Sequence, residues 1–372
     1  MAVELSNKIN LSIAIIDPGD FKPSISKSFH SRVSAITPAS KEFLESINVW
    51  NEIKRKNGFV ATKVWDQNSH GHLNFHAKDE GIKYLGYIVE NDLIQAALYS
   101  AIDQSKVTLI QASLEKLTST DLGYRVGLDN DQLLSCKLLI GADGPLSKVR
   151  RLVNIEVKEH NYYQRAIIAN VLSEKPLNQT IYQRFLSDSI LATLPLSNYE
   201  ASIVWSCKNP LAIKLENLDN DEFNKHLSDA SEYQFGSLEL QSLRQFFPLV
   251  SRSAKDYVLD GLALIGDAAH NIHPLAGQGV NLGFADVMEL SKQLQGKGSQ
   301  SLGDFLVLRK YARARRLDNE IMSKTMTGLD WIYKENNEPI RWLRGYGMNF
   351  IDEIPILKSF FQRQALGKFK KN

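Results

Sequence analysis

Two short runs of the chain are apolar without alternation and close on a glycine and an acid. Leu262, Ala263, Leu264 and Ile265 stop at Gly266 and Asp267, and Leu138, Leu139 and Ile140 stop at Gly141, Ala142, Asp143 and Gly144. Continuous apolar positions predict strands covered on both faces, as in a parallel sheet. Behind the first run Val280, Leu282, Ala285, Val287, Met288 and Leu290 recur at helical spacing after Gly277 and Gly279, with Pro274 ending the segment before them. Behind the second, Ser147 and Arg150 stand at the spacing of a helix entry. Residues 1–5 read as part of a helix and 11–16 as a third buried strand, ending at Asp17. Helices are predicted from Leu44, Ile47 and Trp50 and from Leu93, Ile94, Ala97, Leu98 and Ile102, and strands over 107–111 and 124–128. Residues 59–76 alternate, which predicts a hairpin with exposed histidines at His70, His72 and His76. From 151 to 249 the pattern changes to strands over 166–172, 181–186, 190–196 and 201–205, separated by Asn, Ser, Pro and Lys turns. Helical spacing at 222–227 and 240–247 returns the chain to its first region. The fold class is therefore α/β with an added sheet-rich domain, the first domain being built from both ends of the chain.

A carboxylate at the carboxyl end of a parallel strand lies in the crevice where open α/β sheets bind ligands. Asp267 is so placed, able to accept hydrogen bonds from sugar or ribityl hydroxyls. Gly277 and Gly279 let the backbone come close to a ligand, and the free N–H groups of the helix that follows favour negative charge. A redox flavin needs that arrangement, because its reduced ring is anionic near N1. A strand–turn–helix corner whose glycines serve packing alone is the plainer alternative. Asp17, at the end of another strand, stands where dinucleotide folds bind the adenosine ribose.

Composition narrows the picture by exclusion. Forty-four basic against 42 acidic residues leave a net charge of +2, too balanced to support nucleic-acid binding. Cys136 and Cys207 are the two cysteines, too few for a disulfide framework or a zinc site, and the hairpin histidines have no acidic or cysteine partner at a ligand spacing, so no metal is predicted. At 372 residues, with 43% hydrophobic and 23% charged positions, the chain is long enough for about two domains. No run of 18 apolar residues and no signal-peptide pattern occur, which predicts a soluble, cytoplasmic protein or a peripheral one. Residues 302–326 read as a charged helix with Arg313, Arg315 and Arg316 on a solvated face. Residues 331–372 mix aromatic and basic positions, which suits either an amphipathic helix on a membrane surface or packing against the first domain.

The wording GADG..S.VR (141–150) and GDAAH..HPLAGQGVNLG (266–283) resembles the two FAD motifs of single-component aromatic hydroxylases. Joined to SRVSAITPAS (31–40) and LGYIVEN (85–91), it is similar to the ubiquinone-biosynthesis hydroxylase family over most of the chain, from about 11 to 330. In the segment YARARRLDNE, Ala312 stands where the family has an acid. The resemblance implies a Rossmann-like FAD-binding domain with an interleaved, mostly antiparallel sheet domain for substrate. The division it suggests is 1–60, 85–160 and 257–330 for the FAD domain, 61–84 and 161–256 for the substrate domain, and 331–372 as a C-terminal helical segment. It implies hydroxylation of the aromatic ring of a polyprenylated phenol, with NAD(P)H as a transient reductant of FAD and O2 reacting through a flavin C4a-hydroperoxide. It assigns Asp17, Arg32, Asp143, Gly144, Gly266, Asp267, Pro274, Gly277, Gln278, Gly279, Val280 and Asn281 to the cofactor. Arg184 and Pro195 fall where substrate contacts are expected, and the group that activates the phenol is not legible. A ubiquinone-biosynthesis complex, peripheral membrane contact and a homo-oligomer are the partners it suggests. The resemblance starts inside the family's first helix, without the strand and G-x-G-x-x-G turn that cradle a pyrophosphate, so weakened FAD binding is an expectation. Another monooxygenase of the same fold, or a flavin-free scaffold for partner hydroxylases, are the alternatives.

Overall fold

The computed structural model describes residues 1–22, 25–67, 71–271, 279–296 and 302–334. The unalternating runs form parallel pairs. Ile13–Asp17 pairs with Val107–Gln111, placing Asp17 opposite Gln111. Leu139–Gly141 pairs with Leu262–Leu264, and Val258–Leu259 adds an antiparallel edge. Leu262, Ala263 and Leu264 are wholly buried because the helices Gly279–Leu294 and Phe305–Lys334 pack around them. The first of these helices contributes Phe284, Val287, Leu290 and Leu294, and the second Leu308 and Tyr311, an apolar stripe at helical spacing in each case. Val3, Leu44, Leu93 and Val149 join the same core, so both ends of the chain build it.

A second core lies in a sheet of nine strands among the described residues. Its central strands are Val157–Ser173, Glu200–Lys208, Ser189–Pro195 and Thr180–Phe185, in that spatial order, each antiparallel to the next. The alternating stretch at 59–76 becomes the hairpin Ala61–Asp66 and His72–His76, which joins this sheet by a parallel pairing with Thr180–Phe185. His72 is exposed and His76 half-buried, while His70 lies outside the described residues. Successive side chains point to opposite faces. One face, with Ile167, Ala169, Val171 and Trp205, is covered by the helices Asn209–Asn217 and Asn220–Ala230. The other sends Ile181, Leu194 and Leu196 against Ala35, Phe59 and Ile88 of the small sheet Val33–Ile36, Gly86–Glu90 and Asn57–Phe59.

Residues 240–247 are not helical as their spacing predicts. Leu238–Leu240 and Gln245–Ala254 are strands, both antiparallel to Val157–Ser173. Leu240, Leu243 and Phe247 imitate a helical stripe, but Leu243 is 87% exposed, and neighbouring Phe246 and Phe247 serve opposite faces of the sheet. Tertiary pairing with the long strand decides the conformation here. That long strand starts nine residues earlier than its apolar run, at Val157, and carries a bulge between Asn161 and Arg165. Residues 335–372, including most of the mixed aromatic and basic segment, lie outside the described residues.

Candidate functional site

The strand Leu262–Leu264 delivers the chain into a tight corner. Gly266 has φ +57°, the left-handed region open to glycine, and an ideal Cβ there stands 3.9 Å from the Cα of Gly283 on the next helix. Two backbones therefore pass close together where the turn begins. Asp267 follows, half-buried, and accepts a hydrogen bond from Asn271 Nδ2 at 3.2 Å. Burial pushes its carboxyl above the usual range, against the opposing pull of the Asn271 hydrogen bond and the charges of His270 and Arg32. Gly279 opens the 16-residue helix Gly279–Leu294, is exposed, and among the described residues no atom lies within 4 Å of the place a Cβ would take.

A half-buried acceptor beside a helix start fits a ligand that carries hydroxyls and gathers negative charge, and FAD is such a ligand. Val280 packs on the core, and Asn281 locks the helix start to its neighbour by accepting from Thr37 N at 3.1 Å and donating to Ala35 O at 2.8 Å. Pro274, Gly277 and Gln278 lie outside the described residues.

Arg32 is presented by a segment held from two sides. From the large sheet, Asn170 Nδ2 donates to Phe29 O at 2.7 Å, Ser202 Oγ donates to Ser31 O at 2.9 Å, and the Phe247 ring lies 5.5 Å from the exposed guanidinium. From the other side Glu90 accepts from His30 N at 2.7 Å and Asn91 N donates to Arg32 O at 3.0 Å. Arg55, paired with Glu90 at 2.9 Å, donates to the carbonyls of Ser26 and Lys27.

The other acidic turn is built differently. Asp143 spends its carboxylate on its own helix, accepting from Ser147 Oγ, from Lys148 N at 2.6 Å and from Val149 N at 2.9 Å. What remains for a ligand is the backbone at Gly144, which has φ +81° and open space where a Cβ would stand. Arg150 joins the two turns, donating from Nη1 to Ala268 O at 2.7 Å and from Nη2 to Pro145 O at 2.9 Å. Asp17, at its strand end, accepts from Gly19 N at 2.7 Å.

The expected substrate residues are not brought to this corner. Arg184 shares the helix-covered face of the large sheet with Tyr182, where it donates to Ala230 O at 2.7 Å and pairs with Glu232, so its guanidinium closes the end of the helix Asn220–Ala230. Pro195 ends its strand, and its carbonyl accepts from Asn57 Nδ2 at 2.9 Å.

Beneath the corner lies a buried charged cluster that periodicity missed. Asp286, wholly buried on the helix Gly279–Leu294, accepts from Gly266 N at 2.8 Å through Oδ2 and stands 2.6 Å from His270 Nε2. Its Oδ1 accepts from Arg315 Nε at 2.7 Å. Arg315 is not on the solvated face with Arg313 and Arg316. It is 4% exposed, and its remaining nitrogens donate to Asp318 at 2.8 Å and Asn319 at 3.0 Å. Burial disfavours the Asp286 carboxylate, yet His270 and Arg315 together hold its pKa below the usual range. Tyr311 OH donates to Leu264 O at 2.7 Å, so the same helix grips the strand leading into the corner.

The profile of the FAD binding domain family matches residues 25–317. The chain is 34% identical over 345 residues to 3-demethoxyubiquinol 3-hydroxylase of Escherichia coli (strain K12), covering 90% of this chain and 87% of that one. It is 33% identical over 383 residues to the mitochondrial ubiquinone biosynthesis monooxygenase of Drosophila melanogaster, covering 91% and 80%. Among solved structures, p-nitrophenol 4-monooxygenase of Pseudomonas putida DLL-E4 superposes with a TM-score of 0.75 at 15% identity, covering 98% of this chain and 94% of that one. Klebsiella pneumoniae HpxO, complexed with FAD and uric acid, gives 0.75 at 14% identity, covering 98% and 92%. At such identities these two share the fold.

Proposed function

The chain belongs to the family of FAD-binding hydroxylases of ubiquinone biosynthesis, and from that premise we propose that it hydroxylates the aromatic ring of a polyprenylated phenol, using O2 and NAD(P)H. FAD, when bound, supplies the activation of oxygen and the transfer of one oxygen atom to the ring. The observation that carries the reading is the corner at Gly266 and Asp267: a half-buried carboxylate with spare acceptor capacity beside the start of a 16-residue helix.

The chain's own residues then divide the work. Asp267 accepts the ribityl hydroxyls, and the backbone at Gly279 and Val280 gives negative charge on the ring a fixed positive partner. Gly144 lets the second turn approach the pyrophosphate, while Asp143 stiffens that turn by capping its helix. Arg32, held between the two sheets, sets one wall of the cleft. Ala35 and Leu194, buried where the small sheet packs on the large one, hold the segment that carries Arg32 in place. Asp17 takes the adenosine ribose. No helix among the described residues is long and apolar enough to cross a membrane, and a polyprenyl tail makes a peripheral contact with the inner membrane part of the proposal.

The test is turnover by the purified chain supplied with FAD. A polyprenylated phenol should accelerate NAD(P)H oxidation and yield a product heavier by one oxygen, labelled when the gas is 18O2. Oxidation that proceeds at one rate with and without the phenol, releasing only peroxide, would overturn the substrate assignment.

A further inference from the structure

A carboxylate buried as completely as Asp286 is a poor device for stability, since replacing a buried ion pair by apolar groups of similar volume is often neutral or stabilising. Its oxygens are nevertheless committed with care: one to Arg315, and the other shared by His270 and the backbone N–H of Gly266. That last contact is the informative one. Gly266 is the left-handed residue of the corner, it passes over Gly283 at backbone contact, and the peptide that follows it carries Asp267. Whatever fixes the Gly266 peptide fixes the direction in which Asp267 leaves the turn.

We propose that Asp286 is a positioning residue for the flavin corner: gripped by His270 on one side and Arg315 on the other, it holds the Gly266 N–H and thereby aims the Asp267 carboxylate at the cofactor. Asp286 touches no ligand itself. It acts through the turn, as a supporting group that locks a functional side chain. The geometry also gives the helix Phe305–Lys334 a second role. Through Arg315 it charges the acid beneath the turn, and through Tyr311 it holds the carbonyl of Leu264 two residues before the turn. Arg150 pulls on the far side of the same turn, at Ala268 O. The corner is thus fixed at Leu264, Gly266 and Ala268 by three separate side chains.

This inference rests on the reading of Asp267 as the cofactor-holding acid, and the experiment is arranged to separate the two. FAD dissociation constants are measured by fluorescence quenching on the full chain, together with melting temperatures without FAD. Asp286→Asn keeps the shape but removes the charge and one acceptor, and should weaken FAD binding about 10- to 100-fold, the range of a hydrogen bond to a charged group. The double variant Asp286→Asn/Arg315→Met removes both buried charges. It should regain melting temperature relative to the single variant while FAD affinity stays low. FAD affinity that returns together with the melting temperature, or a single variant that binds FAD within twofold of the wild type, would overturn the proposal.

Should these variants fail to fold, the comparison moves to His270. His270→Gln, which retains an N–H donor near Nε2, should bind FAD nearly as the wild type does, and His270→Leu should not. Equal affinities for the two would count against the proposal. Asp267→Ala serves as the reference. If it leaves FAD binding unchanged, the reading of the corner itself fails. If it weakens FAD while Asp286→Asn does not, only the positioning role is lost.

Discussion

Arg184 and Arg315 have side chains of equal exposure, 5%, yet the charges they meet differ. Arg184 pairs with Glu232, whose side chain is 55% exposed, and its other donors close a helix end. Arg315 pairs with Asp286, whose side chain is fully buried. In the first pair water screens the carboxylate, and its loss leaves an arginine that still donates to two carbonyls. In the second, both charges are out of water: Asp286 is compensated by Arg315 and His270, and Arg315 by Asp286 and by the partly exposed Asp318. The same residue type at the same burial is therefore an ordinary brace in the large sheet and a constraint on geometry beneath the Gly266 turn.

The comparison sharpens under substitution. Asp286→Ala strands Arg315 without its buried partner and should cost about 3–5 kcal/mol, read as a shift in the urea midpoint of the FAD-free chain. A loss under about 1 kcal/mol would mean that water already reaches the pair. The same pair has a pH signature. A carboxyl held below its ordinary value of 3.8 contributes stability that is present above that value and lost as pH falls through the lower folded value. Subtracting the stability curve of Asp286→Asn from that of the wild type should therefore leave a difference that shrinks on the acid side, and a flat difference would refute the charged state. Gly279→Val should come next. A β-branched side chain at the helix start, where no described residue comes within 4 Å, should weaken FAD about tenfold, on the order of 1.4 kcal/mol, with little change in the melting temperature of the FAD-free chain. Parallel losses in melting temperature would instead make Gly279 a packing residue. Glu232→Ala should have the smallest effect, within about 1 kcal/mol by the same urea measurement, because its carboxylate is largely solvated.

Both acidic turns were legible because a strand covered on both faces cannot alternate. The runs at 139–141 and 262–264 announce their burial directly, and a glycine and an acid mark where each ends. Local patterning failed where partners far along the chain decide the outcome. At 240–247 a helix-like spacing was overruled by pairing with Val157–Ser173. Arg315 was assigned to solvent because it stands among charges, although a signal was present. It falls on the stripe of Leu308, Tyr311 and Asn319, and Asp286 falls within the stripe of Phe284, Val287 and Leu290. Opposite charges on the apolar stripes of two helices predict a buried pair, provided the helices are known to pack together, and that packing is a tertiary fact. The role expected of Asp143 shifted for a related reason. Its sequence position fits a ligand, but Ser147 and two backbone N–H groups, four to six residues on, bind its oxygens.

The assignment of the corner is tested most directly by titrating FAD into the wild-type chain and Asp267→Ala side by side, following flavin fluorescence. Saturable binding by the wild type is expected, weakened by about 1–3 kcal/mol, roughly 5- to 150-fold, in the variant, because the hydroxyls that Asp267 accepts are left unpaired. Superimposable curves for the two proteins would contradict it.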